Sequence, residues 1–270
     1  MKYIIVVAAV VALILTVYIA FENLFILKIR REKIGKGIRI MHISDIHKRR
    51  FGKDNFKIAE IAKAEKPDLI FLTGDIVSRT EKDFSVTEKL LGELCKISEV
   101  YFIYGNHEQS IITPDKAEQF SEMLSRTNVK LLRNSVASAN VKDRRINICG
   151  IELPYTTYKK NGTYFHLDRI TTKDVTNLLG DAPNGETMLL AHNPLFGKEY
   201  AEWGADYTFS GHVHGGSVRM FGIGMLSPER KLFPKYSKGI YCFGNKKLLV
   251  SGGLGKLRVF NPPEIVIYEI

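Results

Sequence analysis

The sequence predicts an α/β domain built on a large, mixed β-sheet system, with a separate apolar helix in front of it. Three observations carry that prediction. Residues 3–21, "YIIVVAAVVALILTVYIAF", contain no charge and a single hydroxyl, Thr16, apart from the tyrosines. From about Gly37 onward, short apolar runs alternate with amphipathic stretches, as strands and helices do when they follow one another. After Val129 the pattern changes to a period of two in "VKLLRNSVASANVKDRRINICGIEL", so the sheets cannot be simply parallel.

The N-terminal run of 19 residues would reach roughly 28 Å as a helix, at about 1.5 Å per residue, close to the thickness of a bilayer core. A core helix is rarely apolar on every face for so long. Lys2 could be the n-region of a cleaved signal peptide, but the apolar run is long and Tyr18-Ile19-Ala20 is a poor cleavage site. The expectation is a single-pass anchor over residues 1–24, followed by one catalytic domain over 25–270. Lys28, Arg30, Arg31, Lys33 and Lys36 follow the span, against Lys2 and the α-amine before it, and this count favours a cytoplasmic body. The same charges suit an edge strand in "LFILKIRREKI", which weakens the count as a guide to orientation.

Three segments read as helices. "NFKIAEIAKAEK" spaces Phe56, Ile58, Ala59, Ile61 and Ala62 for one buried face and stops before Pro67. "VTEKLLGELCKI" does the same with Leu90, Leu91, Leu94 and Ile97. "TPDKAEQFSEML" offers Thr113 as N-cap and Pro114 at the first helical position. In the period-two region, strands are joined by a polar turn near Lys142-Asp143; Gly244-Asn245 marks a hairpin, and "EIVIYEI" is a final strand. There is no internal repeat, low-complexity tract or long linker.

Composition bounds the function without choosing it. With 270 residues, 45% of them hydrophobic and 25% charged, the chain can bury a core without staples. Cys95, Cys149 and Cys242 are scattered and odd in number; they read as buried free thiols and neither as a disulfide framework nor as a zinc knuckle. The net charge of +10 suits an anionic partner: a phosphate compound, a nucleic acid or an acidic lipid surface.

The chemistry lies where the apolar runs end. "GIRIMHISDIH" runs into Asp45 and His47, "DLIFLTGD" into Asp75, and "VYFIYGNHE" into Asn106, His107 and Glu108. "TMLLAHN" runs into His192, and "DYTFSGHVH" into His212 and His214. In open α/β sheets, ligands sit at the carboxyl ends of strands, so five strand ends could converge on one site. Five of the seven histidines fall there; His42 and His166 read as ordinary core or surface residues. Imidazole, carboxylate and amide without thiolate suit Mn²⁺, Fe²⁺ or Zn²⁺. The donors are too many for one ion, and Asp75 is the natural bridge between two. A metal pair about 3.5–4 Å apart can hold a phosphate oxygen, supply hydroxide at neutral pH and stabilise a leaving oxygen. Gly74, Gly105 and Gly211 precede candidate ligands and permit close backbone approach. On an extended strand, His212 and His214 would share a face and could flank such a pair.

"SDIH", "TGD", "GNHE", "AHN" and "GHVHGG", in this order, resemble the calcineurin-like metallophosphoesterase superfamily over roughly Ile38 to Ile270. The end of the chain is similar to the bacterial branch of membrane-anchored phosphodiesterases and lipid-precursor pyrophosphatases. The resemblance implies two packed mixed sheets flanked by helices and a dinuclear site with Mn²⁺ first, Fe²⁺ or Zn²⁺ as alternatives. It makes Asp45, His47 and His214 ligands of one metal, Asn106, His192 and His212 ligands of the other, and Asp75 the bridge. His107 becomes the residue that protonates the leaving group or steadies the transition state, with Glu108 orienting it.

Three departures from the family's pattern stand out. Ser78 occupies a place that often holds aspartate, Gly252 one that commonly holds arginine, and "DIHKRRFG" puts Lys48, Arg49 and Arg50 where small residues are usual. Those three cations would lie near the site mouth as contacts for an anionic substrate, or form a solvated basic loop. The aromatic and basic segment 155–166 is a candidate specificity loop or an ordinary hairpin. The expected function is a membrane-anchored, dimetal phosphoesterase acting on a diester or pyrophosphate, with a lipid-linked or nucleotide-lipid substrate in view. The alternatives are a nuclease of the same superfamily and a non-enzymatic metal-binding protein. No nucleic-acid-binding module is visible, so no nucleic-acid partner is expected. The sequence leaves the oligomeric state open.

Overall fold

The computed structural model describes residues 1–35, 37–111, 113–227, 231–256 and 258–270. Lys36, counted above among the charges after the apolar run, lies outside them. Helix α1 (Lys2–Phe25) precedes strands β1 (Lys28–Lys33) and β2 (Arg39–Ile43), helix α2 (Phe56–Glu65), β3 (Leu69–Leu72), α3 (Ser85–Cys95) and β4 (Glu99–Phe102). Then come α4 (Asn106–Gln109), α5 (Pro114–Ser125), β5 (Lys130–Leu131), β6 (Ser135–Val141), β7 (Arg144–Ile151), α6 (Thr172–Leu179), β8 (Thr187–Ala191), α7 (Gly197–Trp203) and β9 (Tyr207–Ser210). The chain ends with β10 (Val218–Met220), β11 (Ile223–Leu226), β12 (Gly239–Phe243), β13 (Lys246–Val250) and β14 (Glu264–Glu269).

Two mixed six-stranded sheets result, in the orders β1-β14-β2-β3-β4-β5 and β12-β13-β9-β8-β7-β6, with β10 and β11 as a separate hairpin. In the first sheet β2, β3, β4 and β5 run parallel, and β14 returns antiparallel to β2. In the second, β7, β8, β9 and β13 run parallel between antiparallel edges. Alternation along each strand divides the core. Ile40, Leu69, Phe71 and Tyr101 of the first sheet meet Ile148, Met188, Leu190 and Phe209 of the second. The opposite face of the first sheet packs Ile70, Leu72 and Val100 against α2, α3 and α5. The outer face of the second takes Val175, Tyr200 and Trp203 from α6 and α7. Strands buried on both faces explain why these runs are largely apolar and do not alternate with charged residues.

Local expectations mostly match, with physical exceptions. α2 buries Ile58, Ala59 and Ala62, but Phe56 is exposed, its ring lying over Gly52 at the start of the helix. Thr113 occupies the cap of α5 without a side-chain hydrogen bond, while Pro114 takes the first turn as expected. All three cysteines are free, but only Cys149 is buried; Cys242 is exposed on edge strand β12.

Strand β1 is an edge, so the basic run after α1 belongs to the folded body. Arg31 pairs with Glu65, and Arg30 with Glu32 and Glu264. Glu264 is fully buried and also meets Lys238 Nζ at 2.6 Å and accepts from the Gly252 N–H at 3.0 Å. Burial would raise its pKa, but Lys238 and Arg30 outweigh burial and hold it below the usual value. A lowered folded pKa stabilises the protein above the unfolded value of about 4.5, and that stability is lost as pH falls through the folded pKa. Glu264→Gln takes the buried carboxylate from two half-buried cations, of which Arg30 keeps Glu32, and is expected to cost about 2–3 kcal/mol. Chemical denaturation of the full-length protein in detergent checks this; a change within about 0.5 kcal/mol would show the cluster to be energetically idle.

α1 is long and apolar enough to cross a membrane, and none of its apolar window is buried against the body. Its last turn is not free. Glu22, the one buried residue of α1, accepts from the Asn261 N–H at 2.7 Å. Asn23 exchanges two hydrogen bonds with the backbone of Arg258.

Candidate active site

The five chemistry-bearing strand ends converge. Asp45 and His47 follow β2, Asp75 follows β3, Asn106 to Glu108 follow β4, His192 follows β8, and His212 and His214 follow β9. Both sheets thus present the carboxyl ends of parallel strands to one cavity of about 310 Å³. Asp45, His47, Asp75, His212 and His214 all have φ between 52° and 66°. This left-handed conformation is costly for residues with a side chain and clusters at functional sites. It also corrects the reason given for the histidine pair. β9 ends at Ser210, so His212 and His214 sit on a turn and not on an extended strand.

The turns need room. At Gly74, with φ of +88°, a β-carbon would stand 2.5 Å from the Gly105 nitrogen and 2.8 Å from His192 Nδ1. At Gly211 it would overlap the Ser44 hydroxyl and come within 2.5 Å of Asp45 Oδ2.

The donor atoms form overlapping groups. Those of Asp45, His47 and His214 lie within 4.8 Å of one another, as do those of Asp75, His192 and His212, and those of His47, Asp75 and His107. Asp75 Oδ2 is 3.4 Å from His192 Nε2 and 3.9 Å from His47 Nε2, so one carboxylate faces both sides. His47 Nε2 and His214 Nε2 stand 3.3 Å apart, and His214 Nε2 is 3.3 Å from Asp45 Oδ1. Three of these side chains carry a buried polar atom with no hydrogen-bond partner: His47 Nδ1, Asn106 Oδ1 and His192 Nε2.

His192 shows the logic best. Its Nδ1 lies 2.6 Å from the Thr73 carbonyl and must donate to it. A neutral ring then turns the Nε2 lone pair toward a carboxylate, which is repulsive unless a cation lies between. Burial lowers the pKa of His192, but Asp75, Asp45 and the Thr73 carbonyl outweigh it and raise it to about 9. Asp75 is held well below the carboxylate range despite burial, by His192, His107 and His47. His47 is pushed down to about 3, chiefly by burial. A proton on His192 Nε2 relieves that repulsion at neutral pH, and a divalent ion would take the proton's place; the donor set fits a pair of such ions.

His107 packs edge-on against His47, with centroids 4.4 Å apart. Its N–H donates to Asp75 Oδ1 at 2.7 Å, and its Nδ1 accepts from the Arg79 N–H at 3.3 Å. In the neutral ring the proton is therefore on Nε2. Glu108 does not bond to His107. It accepts from the N–H groups of Asp75, Val77 and Gly105 at 2.8, 3.1 and 2.8 Å, clamping two of the site's loops together. Burial and Asp75 raise its pKa to about 7.

The three loop cations separate. Lys48 lines the cavity and donates to the Thr80 carbonyl at 2.8 Å. Arg49 is buried, turned toward the carbonyls of Asn23 and Gly255, with its guanidinium over Phe51. Arg50 lies 3.9 Å from Glu81. Neither arginine lines the central cavity. Ser78 does, as do Tyr158, Lys159 and Tyr164 of the aromatic segment. Tyr158 packs on His212 and His192 with centroids 4.9 and 5.8 Å away. Arg258 was not singled out from the sequence. It is fully buried and donates to the carbonyls of Gly252, Gly255 and His214, holding the loop that carries His214. A lone arginine in "KLRVF" carries no pattern that would mark it.

The family described as calcineurin-like phosphoesterase matches residues 38–216. The chain is 26% identical over 245 residues to the uncharacterized metallophosphoesterase YkoQ of Bacillus subtilis, spanning 87% of this chain and 84% of that protein. It is 26% identical over 274 residues to the UDP-2,3-diacylglucosamine pyrophosphatase LpxG of Chlamydia muridarum, spanning 86% of this chain and 83% of that protein. The crystal structure of TT1561 of Thermus thermophilus shares the fold, with a TM-score of 0.50, 10% identity and coverage of 80% of this chain and 90% of that one. The strand-end histidines and carboxylates thus stand in a known frame: the chain belongs to the calcineurin-like phosphoesterase family and is a phosphoester hydrolase.

Proposed function

We propose that the chain is a membrane-anchored phosphodiesterase or pyrophosphatase whose site holds two divalent ions, Mn²⁺ first and Fe²⁺ or Zn²⁺ as alternatives. The observation that carries the metal pair is Asp75, one carboxylate facing His192 on one side and His47 on the other. Asp45, His47 and His214 would hold one ion, Asn106, His192 and His212 the other, with Asp75 shared. When bound, such a pair supplies Lewis acidity for phosphoryl oxygens and a nucleophilic water at neutral pH.

The chain's own residues do the rest. His107 would steady the charge on the leaving oxygen with a hydrogen bond from Nε2–H, its ring fixed by Arg79 and its backbone by Asp75. Glu108 keeps the Asp75 and Gly105 loops in register. Lys48 and Lys256 bring positive charge to the cavity wall for the substrate's phosphate. Tyr158, packed on two of the histidines, shields them from water.

Residues 1–24 form the anchor and 25–270 the catalytic domain, with Glu22 and Asn23 at the junction. An anchor ending beside the site would hold the chemistry at a membrane surface, which supports a lipid-linked or nucleotide-lipid substrate. The diacylated sugar nucleotide in the name of LpxG supports the same class. The test uses full-length protein in nanodiscs with bis(p-nitrophenyl) phosphate and CDP-diacylglycerol. Cleavage that EDTA abolishes and Mn²⁺ restores is expected. A folded protein that cleaves neither compound with Mn²⁺, Fe²⁺ or Zn²⁺ would overturn the proposal.

A further inference from the structure

A second cavity, of about 630 Å³, opens between the end of α1 and the catalytic loops. Ile19 and Leu24 of α1 form one wall and Val218 and Val259 supply apolar surface from the body. The rest of the lining is strongly basic. Lys48, Arg49, Arg50, Lys256 and Arg258 contribute five cations, and no carboxylate is among the described lining residues. Lys48 and Lys256 line this cavity and the central one alike, so the two adjoin.

We infer that this groove binds an amphiphilic phosphoester, its acyl chain against Ile19, Leu24, Val218 and Val259 and its phosphate led past Lys48 and Lys256 to the catalytic cavity. The inference rests on the reading above that α1 lies in a bilayer and that the site cleaves phosphoesters. An apolar wall joined to a cationic floor matches a molecule with a tail and an anionic head. A volume of this size is that of a ligand pocket, for which about 300–1,000 Å³ is usual.

Two further features place the groove at the bilayer. The Phe260 ring packs on Tyr18, within the apolar part of α1, with centroids 5.9 Å apart, so the body reaches the depth of the helix's last turns. Beside it, Met220 and Phe221 share a pocket with Phe260, and Phe221 is 95% exposed. Exposed aromatic and apolar side chains beside a spanning helix fit a lipid surface. The groove's walls are also held in place. Asn23 is bonded to the Arg258 backbone, and the Arg49 guanidinium reaches the carbonyls of Asn23 and Gly255. Tail recognition and the loop bearing His214 are thus tied to one helix end.

Two measurements on full-length protein in phosphatidylcholine nanodiscs test the groove. The first compares p-nitrophenyl hexadecyl phosphate with p-nitrophenyl ethyl phosphate, which share a leaving group. Burying two more methylenes in an apolar site is worth about tenfold in affinity, so the hexadecyl ester should be preferred by at least that factor in kcat/KM. In the groove-filling variants Val218→Trp and Val259→Trp the preference should collapse toward one. A wild-type preference near one, or one that survives both variants, overturns the inference. The second measurement is independent of turnover. A phosphatidic acid with a diazirine on its acyl chain is photolysed in the nanodisc, and its adducts are mapped by mass spectrometry. Adducts at residues 218 and 259 that disappear when the neighbouring valine becomes tryptophan support the groove. Adducts confined to α1 residues 3–21 overturn it. If neither ester is cleaved but the groove adducts form, the phosphoesterase reading fails and the lipid groove stands.

Discussion

Asp75→Asn is expected to lower phosphodiester hydrolysis by about a thousandfold or more, equivalent to about 4 kcal/mol of transition-state stabilisation. Asp75 is the one carboxylate placed between the two histidine groups, 3.4 Å from His192 Nε2 and 3.9 Å from His47 Nε2. The amide keeps an oxygen for the His107 N–H but removes the charge shared by both sides. The variant should fold, since the clamp that Glu108 forms on the loop uses backbone N–H groups and not the Asp75 side chain. Circular dichroism confirms the fold, and initial rates on bis(p-nitrophenyl) phosphate give the loss. Activity within tenfold of wild type would remove Asp75 from the centre of the mechanism.

His107→Ala is expected to cost about 10²–10⁴-fold and to leave the metal content unchanged. The size of the loss should depend on the leaving group. p-Nitrophenolate bears its charge unaided, so that ester should lose least, whereas an alkoxide relies on the hydrogen bond that His107 Nε2–H donates. Burial lowers the pKa of His107, and the Arg79 N–H at Nδ1 leaves the neutral ring its Nε2–H as a hydrogen-bond donor to the developing charge. Equal losses on activated and unactivated esters would show that His107 positions the substrate and does not steady the leaving oxygen.

Much of this site was legible because its chemistry is written at strand ends. Asp45, His47, Asp75, His192, His212 and His214 each follow a largely apolar run, and parallel strands buried on both faces must present their carboxyl ends together. The division of the chain into two sheets came from family resemblance, since no local pattern says that β9 pairs with β13 and not with the strands of the first sheet. Backbone conformation was less legible. The left-handed turn at His212 and His214 leaves no trace in residue type, because these are not glycines. Side-chain direction was the least legible feature. Arg49 looks like Lys48 and Arg50 in sequence but turns inward to the end of α1, and Glu108 clamps backbone where it was expected to orient His107. Such contacts depend on partners distant in sequence, as Arg258 does with Asn23 across 235 positions.

The central claim is that two metal ions share Asp75, and it is tested most directly by counting them. Full-length protein is stripped with chelator, reloaded with Mn²⁺, desalted and analysed by inductively coupled plasma mass spectrometry against protein concentration. The account predicts two ions per chain for wild type and at most one for Asp75→Asn, with activity following occupancy. One ion or none per folded wild-type chain, or two retained in the variant, would contradict it.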